Sequence, residues 1–295
     1  MQALQWLTGS QAPPGCKLFR QAAAAAPLGK APPRLHGRTM SAPASEIPAA
    51  TLVVFRRAAG GGPPELLMVV RSNSMSFAGG MAVFPGGRVD PGDHALAEAI
   101  GDGLGEAEAA HRIAAIRETI EETGLAPALR PQPDAATAAG LRRELEAGAP
   151  LGQALAARGL ALDLTALVPF ARWCPRGITS HRIFDTRFYL ADLGTGAVDL
   201  TVDATENTRL FWTSARDALA AADRGELSVI FPTRRNLERL AQFASFAHAR
   251  DHALATPVRT IVPKVAQRDG HEALTIPDDL GYPVTHEPLA SAMRG

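Results

Sequence analysis

Cysteine is nearly absent from this sequence: Cys16 and Cys174 are the only two in 295 residues, far apart and in no CxxC pair. That argues against a disulfide framework or a zinc knuckle and fits a reducing compartment. Net charge is absent as well, because 30 Lys and Arg balance 30 Asp and Glu. A nucleic-acid or anionic-membrane binder carries an excess of positive charge, so neither partner is expected. No apolar run approaches the roughly 18 residues that span a bilayer. A GxSxG elbow and a GxxxxGK(S/T) loop are both missing, which leaves serine-hydrolase and P-loop chemistry without support. Asp and Glu are absent from the first 45 residues, where Lys17, Arg20, Lys30, Arg34 and Arg38 stand among Ala, Pro and Gly. Such a segment cannot pack a core. Its prolines interrupt the amphipathic helix of a transit peptide, and the alternative is that translation begins at Met40. The expected location is cytoplasmic.

What is present is a globular composition, 46% apolar, sufficient for a sizeable core. Residues 1–46 read as a disordered Ala/Pro-rich segment, 47–254 as a folded domain, and 255–295 as an extension with a hairpin around Asp269-Gly270. β-branched and alternating stretches predict strands at residues 50–56 and 65–71, joined by the Gly60-Gly61-Gly62-Pro63-Pro64 turn. A short apolar segment, 81–84, leads into Pro85-Gly86-Gly87 and a polar loop. A helix is expected over 106–123, stopped by Gly124, with Ile113, Ile116 and Ile120 on one side. Residues 135–158 read as one or two Ala-rich helices outside the core, because aromatics are scarce there. Strands follow at 167–173, 183–190 and 208–212, then helices at 214–224 and 233–253. Mixed elements without regular βαβ alternation predict an α+β fold, an α/β/α sandwich with a mixed sheet.

The chemistry concentrates in Arg117-Glu118-Thr119-Ile120-Glu121-Glu122-Thr123-Gly124. Glu118, Glu121 and Glu122 stand at i, i+3 and i+4, within an arc of about 100° on a helix. Three like charges on one face repel by about a few tenths of a kcal/mol per pair, and a hard cation offsets that cost. Mg²⁺ and Mn²⁺ prefer such oxygens and keep open positions for phosphate and water. Glu-rich helix faces are common, but the preceding segment, Phe84-Pro85-Gly86-Gly87-Arg88-Val89-Asp90-Pro91-Gly92-Asp93, adds a glycine turn and an acidic loop. A backbone without side chains can approach a metal or phosphate there.

Together these segments resemble the Nudix box, G-x5-E-x7-R-E-U-x-E-E-x-G-U with U apolar. Gly87 matches the first glycine, Asp93 stands at the first Glu, and Thr119 replaces an apolar residue. Between Asp93 and Arg117 lie 23 residues instead of seven, an insertion of sixteen in what reads as a surface loop. Leu67-Met68-Val69-Val70-Arg71-Ser72, with Gly80 and Phe84-Pro85-Gly86-Gly87, is similar to the coenzyme A motif of one Nudix branch, Ser76 replacing its second Arg. With the long insertion and Arg182-Ile183-Phe184-Asp185-Thr186-Arg187-Phe188, these features resemble the peroxisomal coenzyme A diphosphatases. The last residues, Met293-Arg294-Gly295, form no SKL-type address.

The resemblance implies a Nudix hydrolase domain over 47–254 that cuts a diphosphate linkage in a small molecule. It implies Mg²⁺ or Mn²⁺ on Glu118, Glu121 and Glu122 with a carbonyl of Gly86 or Gly87, and Arg117 holding the glutamates. Arg71, Ser72, Gly86 and Gly87 would bind substrate, and Glu121 or Glu206 would take the proton. The substrate expected is coenzyme A or an acyl-coenzyme A, cut to 3′,5′-ADP and a 4′-phosphopantetheine product. The alternatives are nucleotide sugars, ADP-ribose or NADH, or a ligand sensor without catalysis. Three features weigh less: His248 and His252 at i, i+4 without a third ligand, Cys174 near His181, and the Arg234-Arg235 pair at a helix start.

Overall fold

The computed structural model describes residues 45–72, 78–100, 103–176, 178, 182–194 and 207–292. The expected disordered segment, apart from its last two residues, and Ser76, His181 and Glu206 lie outside them.

The chain opens with strands β1 (Glu46–Arg56), β2 (Glu65–Arg71), β3 (Ala82–Val83) and β4 (Gly86–Arg88). Helices α1 (Pro91–Ile100) and α2 (Glu106–Thr123) follow, then β5 (Leu129–Arg130), α3 (Ala135–Glu146), α4 (Leu151–Ala156) and β6 (Ala161–Leu162). The second half runs through β7 (Val168–Trp173), β8 (Ile183–Asp192), β9 (Asn207–Ser214), α5 (Ala215–Asp223), α6 (Phe231–Leu240) and α7 (Phe246–Ala255). It ends with β10 (Thr260–Ile261), β11 (Lys264–Arg268), β12 (His271–Thr275), β13 (His286–Pro288) and α8 (Leu289–Ala292).

The main sheet is mixed, in the order β10-β7-β8-β1-β2-β3, with β4 on β1 and β9 on β2. Strand β1 pairs parallel with β8 and antiparallel with β2 at one end and β4 at the other. Its alternation divides two cores. Ala50, Leu52 and Val54 face α2, α3 and α4, whereas Val53 and Phe55 face α5, α6 and α7. The fold is therefore an α+β, α/β/α sandwich. Among the described residues no helix is long and apolar enough to cross a membrane.

Helix α2 has the expected bounds, and Gly124 ends it in the left-handed region at φ 73°, its N–H bonding the Ile120 carbonyl. Ile113, Ile116 and Ile120 are fully buried, worth about 2 kcal/mol each. The helix is not one-faced, however, because Thr119 and Glu122 are buried too. Thr119 fits where an apolar residue was expected because its hydroxyl donates to the Ala115 carbonyl at 2.7 Å.

Three expectations are corrected. The polar loop after Gly87 contains a helix, α1, with Ala97 and Asp93 buried, so the insertion packs on α2 rather than floating. The Ala-rich helices are not outside the core: Leu141, Leu145, Leu151 and Leu155 supply the apolar stripe in place of aromatics. The single helix at 233–253 is two, since Ser245 caps a new start by accepting the His248 N–H. In the C-terminal part, β11 and β12 form a hairpin through Asp269 and Gly270, both at positive φ.

Candidate active site

Arg117 is the hub of the site. Its guanidinium donates to both oxygens of Asp93 at 3.0 Å, to Glu118 Oε1 at 2.9 Å, to Glu121 Oε2 at 2.9 Å and to the Arg88 carbonyl at 2.9 Å. These partners hold its pKa above the ordinary arginine value despite burial. The guanidinium fork is rigid and planar, so it fixes two glutamates and the start of α1 in one geometry. Asp93 also accepts the Asp90 N–H at 2.9 Å.

Burial is the largest influence on Glu118 and pushes its carboxyl up to about 7, against the lowering effect of Arg117 and with help from Glu121. Glu121 is raised for the same leading reason. Both sit in the last turns of α2, which contain no basic residue after Arg117, where the helix dipole also disfavours negative charge. Glu122 accepts the Gly86 N–H at 3.1 Å.

The glycines are required by close approach. A Cβ on Gly86 would lie 2.3 Å from the Ala50 carbonyl, because Gly86 pairs with Thr51 across β1 and β4. A Cβ on Gly87 would lie 2.3 to 2.6 Å from the Glu118 carboxylate. A side chain there would fill the space over that carboxylate.

These groups line one side of a cleft of about 1110 Å³. Its floor is the shared strip of β1 and β8, where Ile47 pairs with Phe184, Ala49 with Thr186 and Thr51 with Phe188. Trp173, Ile230 and Pro232 line it from β7 and the start of α6, and Arg71, Arg88 and Arg182 also line the cleft. Arg71 closes β2 at a bulge, and its buried Nε has no hydrogen-bond partner among the described residues. Of the residues singled out from sequence, Arg71, Gly86, Gly87, Arg117, Glu118, Glu121 and Glu122 meet in this cleft, whereas Ser72 does not line it. Asp93's grip on Arg117 and the cleft-lining Glu146 were not anticipated; the first was signalled by Asp93's place in the box.

The donors suit a hard divalent cation: three carboxyl groups, two of them raised in pKa chiefly by burial, beside a Gly87 backbone that carries no side chain over the Glu118 carboxylate. Among the described residues no three His, Cys, Asp or Glu side chains stand together as a group that could hold a metal ion.

The other candidates have structural employment. The rings of His248 and His252 pack on Phe243 at 5.2 and 4.9 Å. Cys174 is buried, and burial raises its thiol pKa, which makes it a poor nucleophile. Arg234 pairs with Asp223 at 2.6 Å, and Arg235 with Glu238 at 2.8 Å and Glu287 at 3.1 Å.

No family model matches the chain. It is 31% identical over 201 residues to the acyl-coenzyme A diphosphatase NUDT19 of Gallus gallus, covering 60% of this chain and 53% of that protein. The chain thus spans about half the length of this curated relative. Among solved structures, a NUDIX hydrolase from Alicyclobacillus acidocaldarius superposes with a TM-score of 0.59 at 31% identity, over 70% of this chain and 96% of that one. Likeness in sequence and in fold along nearly the whole of that enzyme means that this chain belongs to the Nudix hydrolase family.

Proposed function

We propose that this protein is a diphosphatase that hydrolyses the diphosphate linkage of coenzyme A or an acyl-coenzyme A, with Mg²⁺ or Mn²⁺, to 3′,5′-ADP and a 4′-phosphopantetheine species. The observation that carries the reading is the Arg117 hub, which holds Glu121 and, beside Gly87, Glu118 in one cleft of about 1110 Å³. The name of the NUDT19 relative supports the acyl-coenzyme A class. A cytoplasmic setting is part of the proposal.

Glu118, Glu121 and Glu122 would hold the cation, with a carbonyl of Gly86 or Gly87. When bound, the cation supplies Lewis acidity toward the phosphoryl oxygens and the attacking water. Arg117 keeps the carboxylates oriented, and its own charge is retained at every working pH. Water attacks one phosphorus as its bond to the bridging oxygen breaks, the other phosphate leaves with that oxygen, and the proton the water loses goes to Glu121 or to Glu206. Glu121 suits the task because its pKa is raised toward the operating range. Arg71 meets the negative charge of the substrate's phosphates.

A substrate panel of coenzyme A, acyl-coenzyme A, ADP-ribose, NADH and nucleotide sugars, assayed with Mg²⁺ and with Mn²⁺ and read by product mass, tests the reading. The expected result is release of 3′,5′-ADP. Preference for ADP-ribose, NADH or a nucleotide sugar overturns the substrate, and no metal-dependent turnover overturns the activity.

A further inference from the structure

Tyr282, far from the glutamates in sequence, is tied to the cleft wall through Trp173. The Trp173 indole N–H donates to Tyr282 Oη at 3.2 Å and to Asn236 Oδ1 at 3.3 Å, and the Tyr282 hydroxyl donates to the same Asn236 oxygen at 2.8 Å. The three groups close a buried triangle that joins β7, α6 and the C-terminal segment. The Trp173 and Tyr282 rings also meet edge to face at 5.8 Å.

The segment that delivers Tyr282 is itself fixed. Gly281 has φ 77°, and a Cβ there would lie 2.5 Å from His252 Cε1, so only glycine fits against α7. Gln242 donates to the Gly281 carbonyl at 3.2 Å. Arg239 stands between the Phe170 and Tyr282 rings, 4.1 and 5.3 Å from their centres, and donates to the Phe170 carbonyl at 2.8 Å. A buried cation over both ring faces helps to hold the tyrosine in place.

What this holds in place is one end of the cleft. Trp173 lies on β7, two strands from β1 and three from β4, the strand that carries Gly86, or roughly 14 Å from it. Arg71 lies on the other side of β1, on β2. Arg71 and the wall formed by Trp173, Ile230 and Pro232 are thus on opposite flanks of the glycine turn, with Arg182, just before β8, on the Trp173 side. An apolar wall at that distance meets the part of the substrate beyond the diphosphate rather than the reacting phosphorus.

We propose that Tyr282 is a positioning residue that sets substrate specificity by holding Trp173 and the start of α6 as the wall for the apolar arm of an acyl-coenzyme A. This rests on the diphosphatase reading of the cleft, and the test separates the two. Tyr282→Phe removes only the hydroxyl. Steady-state kinetics and calorimetric binding without divalent metal compare wild type, Tyr282→Phe, Trp173→Phe and the double variant on octanoyl-coenzyme A and ADP-ribose. Tyr282→Phe is expected to raise KM and Kd for octanoyl-coenzyme A about five- to tenfold, with kcat and the ADP-ribose constants within about twofold. The double variant is expected to be no worse than Trp173→Phe alone, because the hydroxyl acts through the indole. Equal losses on both ligands, additive losses, or no response to Tyr282→Phe overturns the proposal. Selective weakening of binding in a protein that cleaves nothing on the panel supports the proposal while overturning the hydrolase reading. Absence of octanoyl-coenzyme A binding by the wild type overturns both.

Discussion

Asp93 grips Arg117 with both carboxylate oxygens, at 3.0 Å each, from 24 positions away in the chain. The insertion in the box therefore separates the two residues in sequence without separating them in space. Its first part is a support for the site. Asp93→Ala leaves a mostly buried guanidinium short of its best partner, which should cost about 3 kcal/mol of stability. Turnover should fall at least about tenfold as Glu118 and Glu121 lose a fixed anchor. Urea unfolding and steady-state kinetics check both, and a variant as stable and active as wild type would refute the supporting role.

Glu122→Gln isolates charge from shape. The amide oxygen can still accept the Gly86 N–H that Oε2 accepts at 3.1 Å, so the turn should persist. Turnover should drop at least about a hundredfold, or roughly 2.7 kcal/mol of transition-state stabilisation. Near-normal kcat in a folded variant would sink the assignment of Glu122 to the metal.

Glu118 gives a pH dependence with a definite sign. Its carboxyl is raised from 4.5 to about 7 in the fold, so the folded state holds the proton more tightly than the unfolded chain. Metal-free stability is then lost as pH rises through that window and is flat above it. Glu118→Gln removes the penalty and should be more stable than wild type at pH 8, by about 2 kcal/mol, with a smaller difference near pH 5. Denaturant unfolding in a chelator at the two pH values measures this. A variant less stable than wild type at pH 8 would mean that the Arg117 contact outweighs burial.

Arg71 has a buried Nε without a partner among the described residues and a place in the cleft lining. Coenzyme A carries a 3′-phosphate, and a charge-assisted contact to it is worth about 1.5 to 3 kcal/mol. Arg71→Ala should raise KM for coenzyme A about ten- to a hundredfold and KM for dephospho-coenzyme A less than about threefold. Equal losses on both substrates would assign Arg71 to the diphosphate or to the fold.

Much of this was legible in sequence where local pattern and tertiary packing agree. Helix α2 carries a strong period and a glycine stop, and both bounds could be read. Helix α1 was hidden because Pro91-Gly92-Asp93 has the composition of a turn, although Pro at a first helical position is also a start signal. Residues 135–158 misled because few aromatics was taken for little burial, whereas four leucines at helical spacing fill the same role. The carboxylate side of the cleft lies in one stretch of chain. Its other side is not local at all, since the neighbours of Ile47 and Thr51 are Phe184 and Phe188, and only the sheet register brings them together.

That parallel pairing has a consequence for biosynthesis. Strand β1 contains Leu52, Val53, Val54 and Phe55, all buried in the finished fold, and its partner β8 begins only at Ile183. At roughly 5 to 20 residues per second, the ribosome leaves that strand edge unpaired for on the order of ten seconds. Helix α2 and its glutamates emerge and turn helical long before the strip they face exists. Non-local pairing of this kind slows folding and exposes an adhesive edge. The nascent chain is therefore most vulnerable between the birth of α2 and the arrival of the strand that completes the cleft floor.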